Sequence, residues 1–351
     1  MANVQQDFRP ENIPVAVSGD LCSVGNSSVT ATEGSYSERP GRFRPDGETP
    51  VLDEDHFDGA QCRVFKVTFS DGESWAIRMP IHMTGLAQQN VIAIMQGEVT
   101  MLQQLERSGF RWSPRIQGVS LTFDNETGYP FMALRWIPGS CLSWSPDHPG
   151  RDIRDKVLRQ LAAIQLELVG CTIEDKGSAS EFFERMIDGK LGRVRSGSLP
   201  ELAEQDVHDQ KALLPKVLYP WLENAPFAID HGDLRANNII VDADHNITGI
   251  IDWAFAVKFP FQVAGGLPRL LQLEPPTLPP DEVMQQDRKT FYDSLKRCCS
   301  MADAVAWMMA IQSAEDVDFR TCYHETIRSK GTHKWLAEQG WKLPHRQQEG
   351  L

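Results

Sequence analysis

Alternating apolar and polar positions predict the first β-structure of this chain. The segment CRVFKVTF at 62–69 alternates with a period of two, SDG at 70–72 is typical of a turn, and SWAIRMP follows at 74–80. Two such runs around a short turn indicate a β-hairpin. The residues before it, Phe57–Gln61, are interpreted as a flexible turn ahead of the first strand.

A helix and a second hairpin follow. Residues 86–107 carry apolar side chains at three- and four-residue spacing, which predicts an α-helix. VSLTF at 119–123 and YPFMALRWI at 129–137 predict two strands around a turn, and Pro-Gly-Ser at 138–140 ends the pattern. The order of hairpin, helix, hairpin and breaker predicts a small α+β lobe that ends in a hinge.

The pattern beyond the hinge is mostly helical. Residues 151–169 place apolar side chains on one helical face, and residues 283–343 are also predicted to be helical. Residues 180–228 are predicted to form helices and loops, with poor periodicity in KLGRVRSGSLP at 190–200. At 351 residues the chain is long enough to bury the cores of two lobes.

Three segments are therefore predicted. Residues 1–50 are rich in Gly, Ser, Pro and Asp and are expected to form an extended or partly ordered arm. Residues 51–137 are expected to form a lobe of antiparallel sheet and one helix, and residues 138–351 a larger, mostly helical lobe. The predicted fold class is α+β in two lobes.

Composition and charge narrow the classes of partner. The net charge of −13 argues against a nucleic-acid partner, and residues 1–60 alone hold 11 acidic residues against 4 arginines. Most of the acidity thus belongs to the leading segment and does not mark a pocket for a cation. The sequence has neither a long apolar run nor the basic and apolar start of a secretory signal, so we expect no membrane span. Seven cysteines without CxxC spacing are typical of reduced thiols in the cytoplasm.

The candidate chemistry lies in HGDLRANN at 231–238 and IDW at 251–253. Two strands, predicted at 238–241 and 247–251, join these loops as a hairpin. Asp233 alone could be a turn former, Asn238 a loop cap and Asp252 a strand end. Together they predict metal-assisted phosphoryl transfer, in which one carboxylate orients the attacking hydroxyl while an amide oxygen and a second carboxylate hold Mg²⁺.

These motifs resemble the catalytic segment of the aminoglycoside phosphotransferase and choline kinase superfamily, relatives of the protein kinases. The kinase order H-R-D-x-x-x-x-N, then D-F-G, is kept here with Gly232 in the second position and Trp253 in place of Phe. The resemblance covers about residues 55–310 and is greatest to the phosphotransferase-family proteins of filamentous fungi. It implies a bilobal protein-kinase-like fold, ATP as donor, Asp233 as catalytic base, and Asn238 and Asp252 as Mg²⁺ ligands.

A second pair of charged residues agrees with this interpretation. Glu98 lies on the apolar face of the predicted 86–107 helix, where a carboxylate is costly unless it is paired, although it could also extend to solvent at the edge of that face. Arg78, in the strand before it, is the candidate partner. In the resembled family a strand cation, usually Lys, bridges the helix Glu and the nucleotide phosphates. Arg keeps the charge but presents a different geometry.

Further nucleotide contacts are predicted with less specific signals. Gly59 is the candidate for a phosphate-covering loop, and a plain turn explains this single glycine equally well. The hinge residues Arg135, Trp136 and Ile137 are expected to offer backbone groups to adenine, with Trp136 either in the core or against the base. Ile251, next to the metal-binding Asp252, is also assigned to the nucleotide site.

The sequence therefore predicts an ATP- and Mg²⁺-dependent phosphotransferase that acts on a hydroxyl of a small-molecule acceptor. A catalytically silent, nucleotide-binding or regulatory protein is the alternative, because Arg78 stands where the resembled family usually carries Lys and Ala254 where many relatives carry an acidic residue. His231 is expected to hold the loop by hydrogen bonding. Arg235 either contacts phosphate or substrate or is solvated. The acceptor and the oligomeric state are left open: aminoglycosides, choline-like amines, sugars and specialised metabolites all fit.

Overall fold

The computed structural model describes seven stretches of the chain, which are residues 43–59, 61–83, 85–125, 127–175, 177–274, 276–298 and 301–344. The predicted N-terminal arm lies outside the described residues as far as residue 42.

The first lobe is an antiparallel sheet of five strands with one helix, in the strand order β1-β2-β3-β5-β4. Its elements are β1 Val51–Asp58, β2 Arg63–Thr68, β3 Ser74–Met79, α1 Gln88–Arg107, β4 Ile116–Ser120 and β5 Phe131–Arg135. The predicted hairpin and helix are confirmed. The strand predicted at 119–123 begins and ends three residues earlier than expected.

The first strand was not predicted from the sequence. Residues 57 and 58 belong to β1, so the interpretation of Phe57–Gln61 as a turn before the first strand is wrong for those two residues. This edge strand carries the acidic run of VLDEDHFD, and its pairing with β2 shifts register between Leu52 and His56. The shift interrupts the alternation by which a strand is read, and charges on an edge strand discourage pairing with other chains.

The two faces of this sheet differ: one is packed in an apolar cluster and the other carries Arg78. Phe65, Val67 and Ile77 lie on one face in a buried apolar cluster of the first lobe. Residues paired across strands share a face, so Val64 and Arg78, which pair between β2 and β3, lie together on the opposite one. That second face turns Arg78 towards α1 and the second lobe.

The second lobe is mostly helical and adds two small sheets. Its elements are β6 Ser140–Cys141, α2 Arg151–Thr172, α3 Ala179–Arg195, α4 Glu204–Val217, β7 Phe227–Asp230, β8 Ile239–Val241, β9 Ile247–Ile250, β10 Val257–Pro260, α5 Phe261–Ala264, α6 Glu282–Leu295, α7 Ala302–Gln312, α8 Val317–Arg328 and α9 Lys330–Glu338. The bilobal α+β fold that the sequence predicts is confirmed. In the described part of the chain, no helix combines the length and the apolar character needed to cross a membrane.

Two details of the second lobe differ from the sequence prediction, and a third defines a segment whose structure the prediction left open. Residues 190–195 are helical and complete α3, because Leu191 and its apolar neighbours pack on α4 despite weak periodicity. Asn238 lies in a short 3₁₀ turn and not in the strand, which begins at Ile239. The antiparallel pair β7–β10 was not predicted. Its β7 leads directly into the HGD motif.

The hinge is fixed to the β8–β9 hairpin by close packing. Thr248 Oγ1 donates to the carbonyl of Pro138 at 2.7 Å. Ile137 covers Gly249, where a Cβ would lie 2.5 Å from Ile137 Cδ1. Gly139 has φ +124°, and a Cβ there would lie 2.3 Å from the Val241 carbonyl oxygen. The lobe junction therefore depends on two glycines that admit neighbouring atoms.

Candidate active site

Arg78 joins the two lobes through two carboxylates. Its Nη1 lies 3.1 Å from Glu98 Oε1 on α1, and its Nη2 lies 2.9 Å from Asp252 Oδ1 in the second lobe. The fork of the guanidinium makes both contacts at once, which a single ammonium could not do with the same geometry. The predicted Arg78–Glu98 pair is therefore present, and the contact with Asp252 adds a link that the sequence did not predict.

Burial and charge set the protonation of this cluster. Burial raises the pKa of Glu98 to about 7, against the opposing attraction of Arg78. Burial also acts to raise the pKa of Asp252, but the charge and hydrogen bond of Arg78 outweigh it, so that pKa lies below its usual range. Asp252 is thus the ionised carboxylate of the pair, and Glu98 titrates near neutral pH.

His231 holds the loop of the HGD motif together by hydrogen bonding, as predicted. Its Nδ1 accepts from the Asp233 backbone N–H at 3.2 Å, which leaves Nε2 to donate to the Ile251 carbonyl at 3.0 Å. The Trp253 ring lies against the imidazole, with centroids 4.5 Å apart. Burial lowers the pKa of His231, so the ring is neutral and keeps the tautomer that both hydrogen bonds require.

The Asp233 carboxylate lies among three donors. Its Oδ1 accepts from Arg235 Nε at 2.6 Å, and Arg269 Nε lies 3.5 Å from the same oxygen. Its Oδ2 accepts from Asn238 Nδ2 at 3.1 Å. The carboxylate is therefore oriented by fixed neighbours, and Arg235 contacts the candidate base and is not merely solvated.

Asn238 and Asp252 meet through the backbone of Ile251. The Ile251 N–H donates to the Asn238 carbonyl at 2.9 Å, and Asn238 Nδ2 also donates to the Asp233 carbonyl at 2.8 Å. Asp252 has φ +62° and ψ +69°, a left-handed conformation that a non-glycine residue adopts at a cost. These contacts bring the three predicted residues together, and the Ile251 backbone links the two loops that carry them.

The sheet face that carries Arg78 also carries the predicted Trp136. This ring is half-buried, lies under Lys66 with its Nζ 5.5 Å from the ring centroid, and stacks obliquely on Phe57 at 5.7 Å. Of the two predictions for Trp136, the buried core is wrong. Its ring is partly exposed on the sheet face that carries Arg78.

The backbone N–H groups of two hinge residues that are predicted to contact adenine already have hydrogen-bond partners. The N–H of Arg135 donates to the Arg115 carbonyl at 2.8 Å, and that of Trp136 donates to the Ser74 carbonyl at 2.9 Å, so neither is available to adenine. Gly59 follows β1, and its N–H donates to the Cys62 carbonyl at 2.9 Å. It belongs to the tight connection between β1 and β2, and its N–H is not free for a phosphate.

Comparison of the sequence with models of known protein families identifies the family of this chain. The family described as "Phosphotransferase enzyme family" matches residues 87–261, about half of the chain, which include Glu98 and the whole HGD-to-IDW segment. The chain belongs to this family. A search of curated proteins found no match to the sequence.

Solved structures similar to this phosphotransferase-family chain include aminoglycoside and macrolide phosphotransferases of low identity. Aminoglycoside phosphotransferase APH(2'')-Ib with ADP is 14% identical, with 79% of this chain and 86% of that one covered and a TM-score of 0.49. The streptomycin–ATP complex of APH(2'')-IIa is 13% identical, with 85% and 92% covered and a TM-score of 0.49. Macrolide 2'-phosphotransferase MphH from Brachybacterium faecium is 16% identical, with 80% and 93% covered and a TM-score of 0.43.

The phosphotransferase-family site also contains residues that the sequence did not single out. Arg269 contacts Asp233, forms a very short ion pair with Glu274, and places Nη1 3.3 Å from Glu325 Oε1. Glu274 in turn lies 3.5 Å from Arg235 Nη2. These residues come from segments without a recognisable motif, so only the folded chain brings them to Asp233.

Gly232 is the glycine that the site most requires. It has φ +79°, and a Cβ there would lie 2.4 Å from the Phe255 carbonyl oxygen and 2.9 Å from Arg328 Nη1. Arg328 also donates from Nη2 to Asp230 at 2.8 Å. A guanidinium from α8 therefore occupies the space beside the second residue of the HGD motif.

Proposed function

We propose that this protein transfers the γ-phosphoryl group of ATP to a hydroxyl of a small-molecule acceptor. The observation that carries the proposal is the Arg78 guanidinium, which contacts Glu98 in one lobe and Asp252 in the other, 3.1 and 2.9 Å away. It aligns the phosphate-binding cation with the metal-binding carboxylate at the lobe junction. Phosphoryl transfer relies mainly on such positioning and charge neutralisation.

The donor set of the second lobe fits Mg²⁺. Asp252 is ionised and its side chain is about one-third exposed, while Asn238 has its amide nitrogen engaged on Asp233, which leaves the amide oxygen as its metal-binding atom. Hard oxygen donors of this kind suit Mg²⁺, which completes its shell with waters and phosphate oxygens. Among the described residues no group of three or more His, Cys, Asp or Glu could hold a metal, which agrees with a site completed by the nucleotide. When bound, Mg²⁺ would neutralise phosphate charge during transfer.

The remaining residues support a division of labour around the acceptor. Asp233 would accept a hydrogen bond from the acceptor hydroxyl and align its oxygen, held by Asn238 Nδ2 at 3.1 Å. His231 is neutral and buried, and would keep the loop in place without taking part in proton transfer. Arg78 would hold the phosphates, and the Trp136 ring would lie beside the base.

The acceptor would enter from the side of α8. An open cavity of about 300 Å³ lies there, lined on one side by Arg269 and Glu274 and on the other by Glu325, Ser329 and Trp335. Arg269 belongs to its wall and also contacts Asp233, which links this cavity to the candidate base. Its volume suits a small molecule and not a folded protein substrate.

An assay of ATP consumption over a panel of hydroxyl compounds tests this function. Transfer that depends on both Mg²⁺ and an acceptor would support the proposal. The contact of Arg235 with Asp233 at 2.6 Å favours the second candidate, a nucleotide-binding protein without transfer, because it occupies the candidate base. Thermal stabilisation by Mg-ATP with no turnover on any acceptor would favour that candidate instead.

A further inference from the structure

A second, smaller cavity of about 60 Å³ lies behind the catalytic loop. Its wall is formed by β7, His231 and Gly232 on one side, by Gln165 and Gln262 on another, and by α8 on the third. It shares Arg269 and Glu325 with the 300 Å³ cavity, so the two adjoin at these residues, and Arg269 Nε lies 3.5 Å from Asp233 Oδ1. A space of this size accommodates about two water molecules or the carboxylate end of a larger ligand.

Several residues that line this cavity have polar atoms without partners. Gln262 is 2% exposed; its Oε1 accepts from the Tyr219 N–H, while Nε2 has no partner. Gln165 is 6% exposed; its Nε2 donates to the Ala264 and Gly266 carbonyls, while Oε1 has no partner. A buried polar group without a partner is costly, so two amides with unpaired atoms around one cavity point to a polar ligand.

The α8 wall adds two more unpaired groups. Arg328 Nη1 is buried and has no partner, although Nη2 is bonded to Asp230, and both ring nitrogens of His324 are buried and unpaired. His324, Arg328 and Arg320 recur every fourth residue and so share one face of the helix. Burial, with Arg320 and Arg328 adding to it, lowers the pKa of His324 to about 3. The ring is therefore neutral and lies in a positive field.

Acidic groups near this wall are turned to other partners. Asp316 is bonded to Arg320 Nε at 2.8 Å, and Glu325 lies 3.3 Å from Arg269 Nη1. Asp230 binds the other nitrogen of Arg328. The free donors towards the cavity are thus one charged guanidinium N–H, one amide N–H and one imidazole N–H, which together suit the oxygens of an anion.

We propose that this cavity binds a carboxylate group of the acceptor, so that the acceptor is a hydroxy acid. This inference rests on the proposed function. Gly232 lines the cavity next to Asp233, which brings the anionic end of the acceptor close to its reacting hydroxyl. The rest of the molecule would occupy the 300 Å³ cavity.

The charges that line the 300 Å³ cavity agree with this class of acceptor. Its carboxylates already have arginine partners: Asp318 is bonded to Arg288 at 2.7 Å, Glu274 to Arg269, and Glu325 to Arg269. A polycation would have to displace these arginines before it could bind the carboxylates. An acceptor with a single negative group needs no such displacement.

The test measures ligand binding to the full chain without ATP, by calorimetry and thermal shift. The probes are glycerate and gluconate, with glycerol and glucitol as their neutral counterparts, a diamine, and inorganic phosphate. We expect the hydroxy acids to bind at least about tenfold more tightly than the neutral polyols and the diamine. Equal binding of acids and polyols, tighter binding of the diamine, or binding of inorganic phosphate with none of a hydroxy acid would overturn the acceptor class.

Variants locate the binding. Gln262→Glu keeps the acceptor for the Tyr219 N–H and puts a negative charge in the cavity, so it should weaken hydroxy acid binding by about tenfold or more. Arg328→Gln should act in the same direction, whereas Arg195→Gln, in an exposed pair with Glu204 2.8 Å away, should change nothing. If Gln262→Glu and Arg328→Gln, both folded, bind the acids as the parent does, the subsite is refuted.

Transfer is scored separately from binding. Hydroxy acid binding without ATP consumption would contradict the proposed function and leave the carboxylate site standing. Transfer to neutral polyols, with no preference for the acids, would support the proposed function and contradict the carboxylate site.

Discussion

Arg78 Nη2 lies 2.9 Å from Asp252 Oδ1, so a guanidinium on the sheet of one lobe directly contacts a carboxylate on the other. The same side chain forms an ion pair with Glu98, which is 5% exposed. Among the described residues Glu98 has no second cationic partner. One residue therefore both links the lobes and influences the protonation of the two carboxylates.

Replacing Arg78 should destabilise the protein in a pH-dependent way. Arg78→Met leaves Glu98 buried without its cation, and removing one partner of a buried pair typically costs about 3–5 kcal/mol. Burial already raises the pKa of Glu98 to about 7, so this carboxyl can take up a proton. The loss in unfolding free energy should therefore be larger at pH 8 than at pH 5, as measured by denaturant titration.

Two controls accompany that experiment. Glu98→Gln combined with Arg78→Met should recover much of the lost stability, because no buried charge remains at Glu98. Arg115→Met removes a more exposed pair, with Glu106 2.7 Å away, and should change the unfolding free energy by less than about 1 kcal/mol. Equal losses for Arg78→Met and Arg115→Met would show that the buried pair has no special weight.

Asp233 should be required for transfer and dispensable for folding. Asp233→Asn keeps the shape of the side chain but removes the carboxylate, and loss of a general base typically lowers turnover by about 10²–10⁴-fold. Asp252→Asn should lower turnover at least as much and raise the Mg²⁺ requirement. The assay is ATP consumption with an accepted hydroxyl compound, alongside the melting temperature.

Asp244→Asn is the matched control for these two variants. Asp244 is an exposed residue at the tip of the same hairpin, and its substitution should leave turnover unchanged. Near-parental turnover of folded Asp233→Asn would exclude the mechanism proposed for this residue.

The parts of the site that could be predicted from the sequence are those in which one residue is anomalous in its own element. Glu98 is a carboxylate on an apolar helix face, and Asp233, Asn238 and Asp252 stand at fixed distances around one hairpin. Such signals are local and can be recognised in the sequence alone.

The contacts that escaped prediction join segments distant in the chain. Arg269 reaches Asp233 and Arg328 reaches Asp230, and each arginine on its own has the pattern of an ordinary charged residue. The strand β1 escaped for another reason, because its acidic run and shifted register hide the alternation of a strand. The hinge backbone groups were assigned to adenine because the sequence does not show that the Arg115 and Ser74 carbonyls accept from two of the hinge N–H groups, which depends on strand pairing.

Lys190 should make stability depend on pH in the alkaline range. It is 3% exposed and bonds to Gln210 Oε1, the Thr326 carbonyl and His333 Nδ1, none of which is acidic. Burial, assisted by Arg193, lowers the pKa of Lys190 to about 7 from an ordinary value of 10.5. Between these values the unfolded chain holds a proton that the folded chain has released.

The sign of the effect follows from this proton. Unfolding free energy should rise with pH between about 7 and 10.5, by up to about 1.4 kcal/mol per pH unit, and fall again as the pH drops towards 7. Lys190→Met should remove this contribution to the slope. Lys211→Met, at a more exposed lysine 2.7 Å from Asp188, should leave the slope unchanged. Identical slopes for the parent and Lys190→Met would refute the shift.

Gly232 and Gly197 provide a matched pair for the space beside the catalytic loop. They have φ +79° and +75°, so alanine at either position meets the same left-handed strain of about 1–2 kcal/mol. At Gly197 a Cβ meets nothing within 4 Å, whereas at Gly232 it would lie 2.4 Å from the Phe255 carbonyl oxygen and 2.9 Å from Arg328 Nη1. Gly232→Ala should therefore lose more unfolding free energy than Gly197→Ala and should also lower turnover by about tenfold or more, because displacement of the loop moves Asp233. Denaturant titration and the transfer assay on both variants measure this difference, and equal effects on stability and turnover would mean that the loop yields freely to a methyl group.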